Sequence, residues 1–84
     1  MELPGEEYVR QGLIDLKKGS ETVSALLVAI GAPRLRQLGI DVPAHAFSSP
    51  EHRLYLKLAA EDSDSAHSRY NALIRRLVSF ERAY

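Results

Sequence analysis

Val23-Ser24-Ala25-Leu26-Leu27-Val28-Ala29-Ile30 is the stretch that decides the fold: eight residues with one hydroxyl and no charge. Such a segment has almost no polar face, so it is stable only where other elements cover it on every side. The nearly uncharged run ends at Pro33 and is about half the roughly 20 residues that a membrane span needs. It therefore predicts a central buried helix over residues 21–30, with Ser20 as N-cap and Gly31 as its stop.

Working outward toward the N-terminus, residues 4–18 predict a helix with Glu6 and Glu7 in its first turn and Lys17 and Lys18 in its last. That charge order complements the helix dipole, and Gly19 supplies the left-handed stop. Its apolar stripe is Tyr8, Val9, Gly12, Leu13 and Leu16, which leaves Ile14 off the inner face as a candidate contact for a partner.

In the other direction, Pro33 is suited to a first helical turn, so residues 33–38 predict a short third helix anchored by Leu35 and Leu38 and ended by Gly39. Residues 40–49 read as a connection, because Val42 precedes Pro43 and is pushed to an extended conformation. Ile40, Val42 and Phe47 are its candidates for the core. Ser49-Pro50-Glu51 starts a helix over 50–61, with Leu54, Tyr55, Leu58 and Ala59 inward. Asp62-Ser63-Asp64-Ser65 caps a last helix over 65–83. There Ala66, Tyr70, Leu73, Leu77, Phe80 and Tyr84 recur at a 4-3-4-3-4 spacing, the rhythm of a helix-packing seam. No alternating run predicts a strand. The expected fold is all-α: a compact bundle of four to five short helices in a single domain spanning residues 1–84.

Composition narrows the function classes. The chain is 45% hydrophobic and 26% charged, which is a globular balance. Eleven basic and eleven acidic residues cancel, so no global field draws nucleic acid or an acidic membrane. With no cysteine the chain needs neither disulfides nor thiolate-bound zinc, and its acidic start lacks the basic and apolar regions of a secretory signal. A cytoplasmic location and no cofactor are the expectations.

The aromatic-rich stripe of the last helix makes Tyr70, Leu73, Leu77, Phe80 and Tyr84, together with Ile14, the candidate interface, with core packing as the competing use of the same residues. The leading expectation is a small interaction or adaptor module for a protein partner, including a second copy of itself. The alternative is a nucleic-acid-binding or regulatory domain with a degenerate helix-turn-helix at residues 22–40. It would use Arg34 and Arg36, with Arg75 and Arg76 as further anion contacts. Against it stand the short second helix and the zero net charge. No catalytic motif occurs: Ser63, Ser65, Ser68 and His67 lack a nucleophile elbow. His45, His52 and His67 lack the spacing that sets two ligands on one helical face, so neither an enzyme nor a metal protein is expected.

Overall fold

A computed structural model of the chain describes residues 3–44 and 47–84, and among these it contains four helices and no strand. They are α1 (Glu6–Lys18), α2 (Val23–Gln37), α3 (Pro50–Glu61) and α4 (Ala66–Ala83).

The first pair of helices is joined by a turn held by both backbone and side-chain hydrogen bonds. Gly19 takes the left-handed conformation at φ 77°, so its N–H donates to the Leu16 carbonyl and the Ser20 N–H to the Asp15 carbonyl. Thr22, and not Ser20, is the N-cap of α2: its Oγ1 accepts from the Ala25 N–H at 3.1 Å. The same hydroxyl donates to the Asp15 carboxylate at 2.6 Å, and Gln11 donates to that carboxylate at 3.0 Å. Asp15 is thus held on the α1 side of a hydrogen-bonded relay that ends on the α2 backbone.

α2 is the central helix, as its apolar sequence requires. Leu26, Leu27 and Val28 are fully buried, and α2 packs against each of the other three helices. Each fully buried leucine contributes about 2 kcal/mol in transfer free energy.

The break expected at Gly31 and the separate helix over 33–38 are absent: residues 23–37 form one helix with Pro33 inside it. An interior proline gives up one backbone hydrogen bond and costs about 3 kcal/mol. Its ring faces solvent, while Gly31, Ala32 and Leu35 around it are buried. Continuing the helix is the arrangement that buries all three. It ends instead at Gly39, at φ 90°, with the Gly39 N–H on the Arg36 carbonyl and the Ile40 N–H on the Leu35 carbonyl.

Two glycines set the helix separations. A Cβ on Gly12 would overlap the Ser24 carbonyl and the Val28 side chain, so α1 lies directly on the α2 backbone. A Cβ on Gly31 would sit 2.9 Å from a Leu77 methyl, so α4 closes on the other side. The shortest extent of the molecule is 19 Å, about two helix diameters.

Candidate interaction surface

The stripe of α4 divides between core and surface. Leu73 is 8% exposed and Leu77 and Phe80 are each 4% exposed, within the same core cluster as Leu26, Leu27 and Leu58. As candidate interface residues these three are corrected to core residues. The reason lies on α2, where the missing side chain of Gly31 lets Leu77 seat against the helix. Tyr70 is half-buried and meets Tyr55 edge-on, with ring centroids 6.1 Å apart at 62°. Burial pushes the Tyr70 phenol pKa up, and the Glu51 charge adds to the shift. The tyrosine pair closes the seam between α3 and α4, with Tyr55 more exposed than its expected inward position.

The two remaining candidates, Tyr84 and Ile14, each line a recess beside α1, and the two recesses are called the α1 groove below. Its first recess, about 300 Å³, is walled by Leu3, Val9 and Leu13 on one side and by Ile40, Phe80 and Tyr84 on the other. Glu6 and Arg10 stand at its rim, paired with one another across one helical turn. The second recess, about 420 Å³, is lined by Leu13, Ile14, Lys17, Asp41 and Pro43. Leu13 lines both.

Each wall of the groove is fixed from behind. Gly12 presses α1 onto α2, and Ile14, two residues on, lies about 200° around the helix and points away, 44% exposed. The opposite wall is held by Val42, buried in the core, and by Arg36, whose guanidinium donates to the Val42 carbonyl at 3.1 Å. Tyr84 is 59% exposed, with its ring centroid 5.5 Å from that of Phe80. The recesses are lined mainly by apolar side chains, with Glu6 and Arg10 at the first and Lys17 and Asp41 at the second.

The arginines expected to contact anions have separate uses. Arg36 clamps the α2–α3 connection. Arg34 lies near Glu81, whose carboxyl pKa burial pushes up while the Arg34 charge pulls it down. The Arg75 Nε donates to the Asn71 carbonyl at 3.4 Å. Arg76 pairs with Glu7 at 3.4 Å, and its guanidinium lies 5.7 Å from the centre of the Tyr8 ring. A helix-turn-helix at residues 22–40 needs a turn between two helices, and α2 runs through the place where that turn was expected.

Among the described residues no three acidic, histidine or cysteine side chains gather as a metal site would require. His52 and His67 are exposed, with His67 3.2 Å from the Asn71 amide, and His45 lies outside the described residues. Ser68 donates its hydroxyl to the Ser65 carbonyl at 3.1 Å, a local helix-start contact. No described helix is long and apolar enough to cross a membrane.

Compared with known proteins, the chain matches no family model, no curated protein and no solved structure.

Proposed function

We propose that this chain is a single-domain helical bundle serving as a protein-interaction module, whose α1 groove receives an apolar helical face of a partner. The observation that carries this reading is the pair of recesses beside α1 that share Leu13, with Tyr84 exposed at one and Ile14 exposed at the other. A trough walled by aliphatic and aromatic side chains is the form used by helix-in-groove recognition, where anchors at i, i+3 or i+4 and i+7 enter an apolar channel.

Its polar groups suit positioning better than chemistry. Glu6 is engaged by Arg10 and by the Leu3 N–H at 3.0 Å, which fixes it at the rim. A reducing cytoplasm is the compartment that suits a cysteine-free chain of this kind.

The test is a photo-activated cross-linking residue placed at Ile14, with the same residue at the exposed α3 position Ala60 as control, irradiated in the cell that makes the protein. A discrete adduct at position 14 and none at position 60 supports the module. Equal labelling at both positions, or no adduct at position 14, overturns it.

A further inference from the structure

We infer that Glu81 is a proton-operated latch at the carboxyl end of α4: neutral, it lets the last turns of α4 close on α2, and ionised, it loosens them. The latch holds whatever the recesses beside α1 receive.

Three features of its position disfavour a charge. Glu81 packs across the seam on α2, half-buried, with its Oε2 3.2 Å from where a Cβ on Gly31 would stand, so that helix takes the place of water on one side of the carboxylate. It lies in the last turn of α4, where the unpaired carbonyls of a helix end repel an anion. Among the described residues its carboxylate accepts no hydrogen bond and joins no ion pair.

Few groups surround it. From α2, Gly31 offers backbone and Arg34 a charge that reaches the carboxylate without forming an ion pair. On α4, Leu77 shares the Gly31 contact one turn before, and Tyr84 follows three residues on. Arg82 is the next residue, about 100° further round the helix, and does not face Glu81. Burial outweighs the pull of Arg34, and the Glu81 carboxyl titrates above its ordinary value.

Protonation removes the desolvated charge and leaves a neutral carboxyl resting against α2. Docking of the α4 end is therefore fully present in acid and is lost as pH rises through the raised Glu81 value. Phe80 and Tyr84, which flank Glu81 in sequence, line the first recess, so the same proton sets how firmly that wall is held.

Amide hydrogen exchange followed by NMR from about pH 4 to about pH 7 tests the latch. Protection factors of the Arg82 and Ala83 amides report opening of the α4 end, and that of Leu27 reports global unfolding. In the unaltered chain the Arg82 and Ala83 values should fall about threefold as pH rises, the size of one unfavourable charge at a helix end. Glu81→Gln, a neutral side chain of the same shape, should hold the acid value throughout. Arg34→Gln, which removes the facing charge, should move the fall to higher pH.

A flat profile in the unaltered chain, a fall shared equally by Leu27, or a fall that survives Glu81→Gln overturns the inference. So does a midpoint that Arg34→Gln moves to lower pH.

Discussion

α4 and α1 carry similar apolar content on opposite terms. α4 has the more regular stripe and uses it inward: Leu73, Leu77 and Phe80 seat in the core. α1 has the less regular stripe and leaves apolar surface outside: Gly12 faces α2, so Leu13 and Ile14, about 100° and 200° further round the helix, fall on the flank and far side. Periodicity identifies a face that packs against something. Which side of a helix is left over depends on which residue faces its neighbour, and on α1 that residue is Gly12.

The largest expected effect is on the inward side. Leu77→Ala should cost about 3 kcal/mol, from lost transfer free energy plus a cavity beside Gly31, read as a drop in the midpoint of denaturant unfolding. A loss below about 1 kcal/mol would mean that α4 is packed less tightly than its burial states.

The relay joining α1 to α2 gives a smaller, pH-dependent effect. The Thr22 hydroxyl, then the Gln11 amide, and more weakly the Lys18 charge hold the Asp15 carboxyl pKa below its usual range, with desolvation opposing them. A folded-state pKa below the unfolded one adds stability that is fully present above the unfolded value. That stability is lost as pH falls through the folded value. Asp15→Asn should therefore lower the thermal midpoint at neutral pH and flatten its decline in acid, as a calorimetric pH series would record. Glu81 works in the reverse sense: its pKa is raised by burial, so its contribution is present below the ordinary carboxylate value and lost as pH rises through the folded one.

The smallest effect on stability belongs to the outward side. Ile14→Ser removes a side chain already 44% exposed and should change the unfolding free energy by less than about 0.5 kcal/mol. A loss comparable to that of Leu77→Ala would turn the groove into part of the core and erase the contrast between the two helices.

Local chemistry made much of the fold readable. Gly19, Pro50 at the start of α3 and the uncharged run from Val23 each act through backbone or solvation rules that need no knowledge of neighbours, whereas Ser49 before that proline makes no side-chain cap. Pro33 favours a break by its local cost, while Gly31, Ala32 and Leu35 around it are buried in the continuous helix, a gain that depends on packing and not on local sequence. Ser20 and Thr22 are both good caps, and what selects Thr22 is the Asp15 carboxylate seven residues earlier. Nothing in the helical pattern of α1 marks Asp15, whose part depends on Thr22 across the glycine turn.

The candidate site was half legible. Ile14 and Tyr84 stood out by position, but the Ile40–Pro43 wall opposite them exists only because Val42 is buried and Arg36 grips its carbonyl. Those are contacts made by folding, and no periodicity announces them.

The turn at residues 19–22 also bears on how the chain is born. Synthesis delivers α1 and α2 first, and the Asp15–Thr22–Ala25 relay closes them over one short loop. At that moment the far side of α2, with Gly31 and the pocket that Leu77 will fill, still lies open to water. A nascent chain stopped before α4 would thus carry a finished hairpin with an uncovered greasy flank, the form of intermediate on which chaperones and aggregation compete.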